Sequence, residues 1–511
     1  MSKPVRSKRR RGGSRDAMLA KRSKPPAINP APAGPVGGQY RPLTEAQVSQ
    51  IYNTSLRMLA ELGMGDSPPA LTEQALKCGA TINDLGRLCF SKDMVEDIID
   101  GACKSFVFHG RDQKHSFEVG GDRVYFGTGG AAVQTLDLDT HVYRPSTLAD
   151  LFDFTRLVDT LPNISWFTRC CVATDIPDIF ELDFNTAYCL MRGTQKPVGT
   201  SFTLGAHVDP IVDMFDRVAG GEGKFAEKPF CKVHISPIIS PMRYGEDAFE
   251  VALASIRRGM PINTIVAAMS GATSPATIDG MLAASFAETL AALVMVNVFV
   301  PGYPVIFSNW PFVIDLRTGA FCGGGGEISI LNAGAAQLAN HIGVPSGVAS
   351  SMSDAKAVDA QMGMEKALSS LACGLSGANM VYESSGMMAS LLGASFEAFV
   401  LDNEMLSHVY RMIRGVEVTE DTLAFEAMKN VITGAGHFIG ETQTMEAMER
   451  DYFYPKLGDR LEPTTWAESG AQDAGQKANQ EVREILARHQ PNYIDSAVDV
   501  AIRSKHNILL P

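Results

Sequence analysis

The sequence predicts an α/β protein built on a closed (β/α)8 TIM barrel, with an N-terminal helical cap and a C-terminal helical extension. From residue 124 onward, a short strand-like run alternates eight times with an amphipathic helix. The eight units span about 290 residues, which suits such a barrel better than an open sheet. No G-x-G-x-x-G motif follows a first strand, which disfavours the alternative, a doubly wound dinucleotide-binding fold.

The predicted strands are short runs of β-branched and aromatic residues that end in polar or glycine-rich breaks. They cover residues 124–130, 165–175, 197–203, 231–240, 262–271, 304–310, 345–351 and 380–386. Because a helical pattern follows each of them, right-handed crossovers and parallel pairing are expected. The glycine run after the sixth strand leads into a helix predicted to start at Glu327.

Three further segments surround the barrel, which is predicted to cover residues 124–415. Residues 39–123 contain two helical patterns and a hairpin pattern, and are expected to form the cap. Residues 416–511 are helical again and form the extension. Residues 1–38 are rich in Arg, Lys, Ser, Gly and Pro, and are expected to form a disordered basic leader. A docking arm for an acidic partner is the alternative.

Charge and hydropathy argue against two classes of partner. Residues 1–24 contain ten Lys or Arg and one Asp, a net charge of +9, which leaves −21 on residues 25–511. An acidic body predicts no nucleic-acid binding. No apolar segment follows the arginines as in a signal peptide, and the apolar stretch 281–302 is interrupted by Glu288, so a buried helix is expected rather than a membrane span. A cytoplasmic protein is predicted.

The nine cysteines are scattered without a C-x-x-C pair or a nearby histidine at ligand spacing. This spacing predicts reduced, buried thiols and no Cys/His metal site. No strand end carries an obvious lysine for a Schiff base or a nucleophile beside a base, so metal-dependent and covalent chemistry are both disfavoured.

Candidate site residues are those at the carboxyl ends of the strands, where barrel enzymes assemble their sites. Aromatic faces and carboxylates together attract cations, and cages of them hold quaternary ammonium groups. The candidate substrate-binding residues are Trp310, Tyr382, Asn309 and His234, and the candidate catalytic residues are Glu383 and Asp354. A core role for each aromatic is the alternative.

Glycine runs at 127–130 and 323–326 follow the first and sixth strands. Glycine allows a flat cofactor to approach the backbone closely, and the candidate cofactor-binding residues are Gly323, Gly324, Gly325 and Gly129. Simple loop hinges are the alternative. The run at 323–326 is a poor phosphate loop, because no Gly-Lys-Ser/Thr follows it and Glu327 would repel an anion at the helix start.

Residues 350–406, "SSMSDAKAVDAQMGMEKALSSLACGLSGANMVYESSGMMASLLGASFEAFVLDNEML", resemble the trimethylamine methyltransferase family of corrinoid-dependent enzymes. The likeness extends through residues 34–64, 143–164 and 436–444. It implies a (β/α)8 barrel that moves a methyl group from an amine to the Co(I) of a separate cobalamin-binding corrinoid protein, with no tightly bound cofactor of its own. In that setting Gly323, Gly324 and Gly325 would leave room for the corrin.

The resemblance also bears on the amine. Trimethylamine-specific members carry pyrrolysine, whereas this chain contains only the standard twenty residues. It therefore resembles the branch that demethylates quaternary amines such as glycine betaine, and a small quaternary amine is the expected substrate. Two alternatives remain: a metal-free barrel lyase or isomerase with Glu383 or Asp354 as base, and a betaine-binding sensor. A homo-oligomer is also expected.

Overall fold

A computed structural model of the protein describes residues 29–30, 32–434 and 436–511. Its centre is an eight-stranded, all-parallel sheet. The strands are β1 Tyr125–Phe126, β2 Phe167–Thr168, β3 Val198–Thr200, β4 Cys231–Ile235, β5 Ile262–Val266, β6 Val305–Asn309, β7 Ser346–Ala349 and β8 Met380–Tyr382. From β2 to β8 each strand pairs with the next one in chain order, and β8 pairs with β1. All eight predicted strands are present, although each is shorter than its predicted range.

Backbone hydrogen bonds between the first two units close the sheet into a barrel. The amide of Ser165 donates to the carbonyl of Phe126 at 2.8 Å, and the amide of Thr128 donates to Trp166 at 3.4 Å. The Thr128 hydroxyl adds a bond to the carbonyl of Thr168 at 2.6 Å. The predicted (β/α)8 fold is therefore confirmed.

One helix follows each strand and covers the outside of the barrel. These helices are α1 Leu148–Asp159, α2 Ile179–Gly193, α3 Val208–Ala219, α4 Glu246–Arg257, α5 Ile278–Asn297, α6 Gly326–Ile342, α7 Ala360–Leu375 and α8 Phe396–Arg414. Their starts are set by local chemistry. In α1, the Thr147 hydroxyl accepts from the Asp150 amide while the Asp150 carboxylate accepts from the Thr147 amide, which is a capping box.

Helix α5 contains most of the apolar stretch 281–302 that the sequence analysis predicted to be a buried helix. Among the described residues it is the one helix long and apolar enough to cross a membrane, and 78% of its most apolar window is buried inside the protein. It packs against the helix Glu45–Arg57 and against β5 and β6. Glu288 is buried on it and accepts hydrogen bonds from the Ser240 hydroxyl at 2.6 Å and the Met242 amide at 2.7 Å. These contacts are those of a core helix.

The segment before the barrel packs along its outer helices and closes its amino-terminal end. It comprises the helices Glu45–Arg57, Pro69–Lys77 and Lys92–Gly101, a π-helical turn Met58–Leu62, and the hairpin Thr81–Ile82/Leu88–Cys89. A second hairpin, Ser105–Phe108/Phe117–Gly120, contains the short helix Gln113–His115 in its loop. The last hairpin inserts Phe108 and Val119 into the cluster of apolar side chains inside the barrel. These side chains therefore fill the amino-terminal end of the lumen.

Short sheets cover the opposite, carboxyl-terminal end. Strands Met269–Ser270, Phe312–Ile314 and Phe321–Cys322 form one of them, and Gln134–Leu136, Tyr143–Pro145, Met387–Met388 and Gly393–Ser395 form another. A third pairs Ile238–Ile239 with Arg243–Tyr244. The chain after β6 therefore folds back as a hairpin above the lumen, where Phe312 and Phe321 meet with ring centroids 5.0 Å apart.

The remaining elements are helical. Gly205–His207 and Lys224–Glu227 are short helices between barrel units. After α8 come Glu420–Leu423, Phe425–Thr433, Thr442–Arg450, Pro463–Glu468, Ala474–Arg488 and Ser496–Arg503. The predicted leader lies largely outside the described residues, since residues 1–28 and 31 are not described. All nine cysteines are free, and six of them are buried.

Candidate functional site

Alternation along the strands decides which side chains enter the lumen. In β4, Cys231, Val233 and Ile235 belong to the outer core between sheet and helices. Lys232 and His234 therefore point inward, where both are buried. Gly199 on β3 makes room for them, because a Cβ there would lie 2.8 Å from Lys232 Nζ and 3.1 Å from His234 Nε2.

A chain of polar side chains crosses the lumen through these residues. Lys232 Nζ donates to Thr168 Oγ1 at 3.1 Å and also bonds His234 Nε2. On the other side, Asn263 lies between His234 and Ser308. Burial lowers the pKa of Lys232 and of His234 well below their ordinary values, because a positive charge on either side chain would lose its solvation. The floor of the site therefore disfavours positive charge on its own side chains.

Tyr382, on β8, lies at the centre of the aromatic side chains above this floor. Its ring centroid lies 5.2 Å from Trp166, 5.3 Å from His234 and 5.3 Å from Trp310. Lys232 Nζ lies 4.7 Å from the same centroid. The structure thus brings together three of the four predicted substrate-binding residues, from β4, the end of β6, and β8.

Glu383 follows Tyr382 in a left-handed backbone conformation, with φ 61°. This reverses the strand alternation and sends its carboxyl group to the loop after β1, where Cβ atoms at Gly129 and Gly130 would lie 2.9 and 2.7 Å from its oxygens. The two glycines are therefore required by Glu383. This packing gives Gly129 a role in covering the carboxyl group, in place of the expected approach of a cofactor.

Burial gives Glu383 unusual acid–base behaviour. It is 1% exposed, and loss of solvation raises its pKa to about 8, with Lys366 partly opposing the shift. Among the described residues, Oε2 of Glu383 is the only buried carboxylate oxygen without a hydrogen-bond partner. A carboxyl group left in this state at a strand end is typical of functional sites.

Other unpaired polar atoms lie at the ends of β6, β7 and β8. They are Asn309 Nδ2 and Oδ1, Trp310 Nε1, Ser351 Oγ and Ser385 Oγ, all on buried residues. Buried polar groups in native proteins almost always have partners, so several orphans at one end of a barrel indicate a place for a ligand or ordered water.

Asn309 and its neighbour Trp310 face opposite sides of the barrel wall. Val305 and Phe307 belong to the outer core, whereas Trp310 belongs to the lumen cluster. By alternation Asn309 is directed toward the helix side of the barrel wall. Asn309 therefore lies at the border of the site, whereas the side chain of Trp310, at the end of β6, enters the lumen.

Asp354 has a supporting position. Its oxygens accept hydrogen bonds from the amides of Gly323 at 2.7 Å and Gly324 at 3.3 Å, and from the Ser390 hydroxyl at 2.7 Å. A carboxylate so engaged anchors the loop before α6. It is poorly placed to act as the base that the sequence suggested.

The glycines of that loop are required mainly by packing within the protein. A Cβ on Gly323 would lie 2.9 Å from Met352, and one on Gly324 would lie 2.2 Å from Glu365. Gly325 has φ 117° and precedes the first turn of α6, which begins at Gly326, one residue before the predicted start. A Cβ on Gly325 would lie 3.4 Å from Glu327, and Gly326 is the one glycine of this run that borders open space.

An ion pair behind the site fixes the loops after β7 and β8. Lys366 Nζ bonds Asp402 Oδ2 at 2.9 Å and the Ser351 carbonyl at 2.8 Å, and the Gly386 amide donates to Asp402 Oδ2 at 2.8 Å. Both side chains are fully buried, and a cavity of about 660 Å³ between α7 and α8 includes them in its lining. This pair holds Ser351 and the segment after Glu383 in place.

Sequence reasoning missed Trp166, Lys232 and Ser385. Lys232 had a usable signal, because His234 was expected in the site and residues two apart on a strand share a face. Trp166 lies at the start of a strand, so a search of strand ends passes over it. Within the residues that the structure describes, no group of three or more His, Cys, Asp or Glu could hold a metal ion.

Comparison with known proteins identifies the family of this chain. The sequence profile of trimethylamine methyltransferase (MTTB) matches residues 8–506. This chain belongs to the trimethylamine methyltransferase family. The resemblance inferred from residues 350–406 is confirmed, and the protein is a methyltransferase.

Curated members of the family cover almost the whole chain. Trimethylamine methyltransferase of Desulfitobacterium hafniense (strain DSM 10664 / DCB-2) is 30% identical over 462 residues, which is 90% of this chain and 92% of the relative. Glycine betaine methyltransferase of D. hafniense (strain Y51) is 28% identical over 468 residues, 91% of this chain and 96% of the relative. Among solved structures, monomethylamine methyltransferase of Methanosarcina barkeri aligns with a TM-score of 0.47 and 13% identity, covering 87% of this chain and 92% of that one.

Proposed function

We propose that this methyltransferase takes a methyl group from a small quaternary amine of the glycine betaine type and delivers it to the Co(I) of a corrinoid carried by a separate protein. The observation that carries the proposal is the buried, unpaired carboxyl group of Glu383, the residue that follows Tyr382 of the Trp310–Tyr382 ring pair. Family membership supplies the reaction class, and the glycine betaine methyltransferase relative supports the choice of amine.

Each part of the site suits one part of such a substrate. A quaternary ammonium group has no N–H to donate, so aromatic faces and a nearby carboxylate are what can attract it. Trp310 supplies a face and Glu383 supplies the charge. The unpaired donors Trp310 Nε1 and Ser351 Oγ suit a hydrogen-bond acceptor, such as the carboxylate of a betaine.

The transfer needs no acid from the protein. The C–N bond breaks with its electron pair leaving on nitrogen as a neutral tertiary amine, and the methyl carbon accepts the electron pair of Co(I), which becomes methyl-Co(III). Positioning and exclusion of water are then the main contributions of the protein. Burial lowers the pKa of Lys232 and of His234 below the cage, which favours their neutral forms and reduces repulsion of the cation.

Access to the cage requires movement of the cover. Trp310 and Tyr382 are 5% and 0% exposed, and the hairpin after β6 places Phe312 next to Trp310 with ring centroids 6.2 Å apart. We infer that the hairpin Phe312–Ile314/Phe321–Cys322 moves aside when substrate and the corrinoid protein bind.

The test is methyl transfer measured with the purified enzyme, glycine betaine and cob(I)alamin, either free or on a purified corrinoid protein. We expect a betaine-dependent change from the cob(I)alamin to the methylcobalamin spectrum, with dimethylglycine formed in equal amount. The control substrate is 3,3-dimethylbutanoate, the carbon analogue that keeps the carboxylate but lacks the positive charge, which should give no reaction. Tight betaine binding without transfer would favour the sensor, and turnover of a carboxylate without cobalamin would favour the lyase.

A further inference from the structure

Arg169 differs from the other enclosed arginines of the described chain, because its guanidinium group has no partner. The residue is partly buried, yet within the described residues its side chain forms no hydrogen bond and no ion pair. The other partly or fully buried arginines there each donate at least one hydrogen bond; they are Arg87, Arg111, Arg144, Arg156, Arg192, Arg258, Arg411, Arg414, Arg450 and Arg503. A cation in this state has lost solvation that the protein does not replace.

Arg169 lies at the mouth of the barrel, directly after the end of β2 at Thr168. Its amide donates to the carbonyl of Gly199, on β3, at 3.2 Å, which fixes the backbone there. Burial, followed by the charges of Lys232 and Arg169, lowers the pKa of His234. The guanidinium group is therefore close enough to the lumen to act on a residue of the site.

The carboxylate of Asp183, on α2, does not neutralise this charge. It accepts hydrogen bonds from the Thr203 amide at 2.6 Å and the Thr203 hydroxyl at 3.0 Å, and it bonds His207 Nδ1 at 2.7 Å. Burial lowers the pKa of Arg169, and the charge of Asp183 opposes that shift only in part. Because arginine is not deprotonated in proteins, a positive charge remains available to an anion at the mouth.

Arg169 and Glu383 place opposite charges around the same mouth. Glu383 follows β8 and Arg169 follows β2, and β1 lies between these strands in the closed sheet. Neighbouring strands are about 4.8 Å apart, so the two strand ends are separated by on the order of 10 Å. A small zwitterion with an opposite charge about 4 Å from each end fills a gap of this size.

We propose that Arg169 binds the carboxylate of the substrate and makes the enzyme specific for betaines over quaternary amines that lack a carboxylate. This assignment rests on the proposed function, and it adds an anchor for the anionic end of the substrate. A guanidinium group suits that end, because it donates two parallel hydrogen bonds to a carboxylate. The neutral donors Trp310 Nε1 and Ser351 Oγ lack the charge that distinguishes a carboxylate from a hydroxyl group.

The test is calorimetric titration of the wild type and of Arg169→Gln with three ligands. Glycine betaine carries both charges, choline keeps the ammonium group without the carboxylate, and 3,3-dimethylbutanoate keeps the carboxylate without the ammonium group. We expect Arg169→Gln to weaken binding of the two carboxylates by about 10- to 100-fold, and that of choline by less than about threefold, because only the carboxylates lose a charge-assisted hydrogen bond.

Two further variants serve as controls. Arg169→Lys keeps the charge without the forked geometry, so it should retain part of the affinity for glycine betaine. Arg257→Gln removes the same charge from the exposed face of α4, away from the mouth, and should bind all three ligands like the wild type. Circular dichroism of each variant checks that it folds.

The three ligands separate a wrong assignment of Arg169 from a wrong function. In Arg169→Gln, equal losses for glycine betaine and choline, or unchanged binding of 3,3-dimethylbutanoate, would overturn the role of Arg169 and leave the proposed function intact. A wild type that binds 3,3-dimethylbutanoate through Arg169 but neither quaternary amine would contradict the proposed function and support the carboxylate site. A wild type that binds none of the three would overturn both.

Discussion

Glu383 makes the binding of a quaternary amine depend on pH in a predictable way. Its pKa is raised to about 8 by burial, so the free enzyme holds it mostly protonated at pH 7. A cation is attracted only by the ionised form. Binding should therefore release a proton and become tighter as pH rises toward 9.

The size of the effect follows from the ionised fraction. With a pKa of about 8, roughly 1% of Glu383 is ionised at pH 6 and roughly 90% at pH 9. If the ionised form alone binds the ammonium group, the apparent affinity for glycine betaine should rise roughly 90-fold between these pH values. About 0.9 proton should be released per ligand bound at pH 7.

Neighbouring groups do not produce the same profile. Lys366 is paired with Asp402, and burial raises the pKa of the Cys170 thiol well above its ordinary value, so that Cys170 stays neutral over this range. Burial lowers the pKa of His234 well below 6.5, so it stays neutral as well. The buried Lys232 also lies beneath the cage. The Glu383→Gln variant distinguishes its effect from that of Glu383, because a pH dependence caused by Lys232 would persist in that variant.

Isothermal titration calorimetry with glycine betaine at pH 6, 7, 8 and 9 measures both affinity and, in buffers of different ionisation enthalpy, proton release. The Glu383→Gln variant should bind weakly with a flat profile, and 3,3-dimethylbutanoate should show no increase with pH on either protein. An affinity for betaine that does not change from pH 6 to 9, or a rise that persists in Glu383→Gln, would refute the reasoning.

Three further sets of substitutions test the cage, its support and its floor. Trp310→Ala should weaken betaine binding by about 1–2 kcal/mol, with a smaller loss for 3,3-dimethylbutanoate, if the cation–π contact is desolvated; calorimetry measures both. Lys366→Met or Asp402→Asn should each cost about 3–5 kcal/mol of unfolding free energy, and the double variant much less than their sum, because each single change leaves a buried charge or polar group unpaired; urea unfolding measures this, and additive losses would contradict it. Gly199→Ala should cost about 1–3 kcal/mol by crowding Thr168 and Lys232, whereas Gly326→Ala, with nothing within 4 Å of its Cβ position, should be nearly neutral in the same assay.

The barrel could be predicted because its signals are local. Each unit combines a β-branched run, a break and an amphipathic helix, and each signal is read within a few residues. The strand bounds were less accurate. At 165–175, for example, the ladder covers only Phe167–Thr168, because the chain after it leaves the sheet to form the mouth of the barrel.

The site was partly predictable for the same reason. Trp310, Tyr382 and His234 meet in the lumen because strand ends in a closed barrel converge. Asn309 and Trp310 could not be separated without the register, since one residue decides whether a side chain faces the lumen or the helices. Asp354 could not be assigned either, because its partners Gly323 and Gly324 are about 30 residues away in sequence.

Glu383 shows why the remaining part needs the structure. Because Tyr382 faces the lumen, regular strand alternation would turn the next side chain, Glu383, toward the helices. Its left-handed φ instead directs the carboxyl group to the mouth of the barrel. That conformation is costly for a residue other than glycine, and nearby glycines at 129 and 130 leave room for the carboxyl group that it redirects. An unpaired, buried acid held by backbone strain reduces the stability of the free protein, and binding of a ligand would offset that loss. The strained turn and the raised pKa of Glu383 are therefore two consequences of one requirement, a negative charge that becomes available only when a cation arrives.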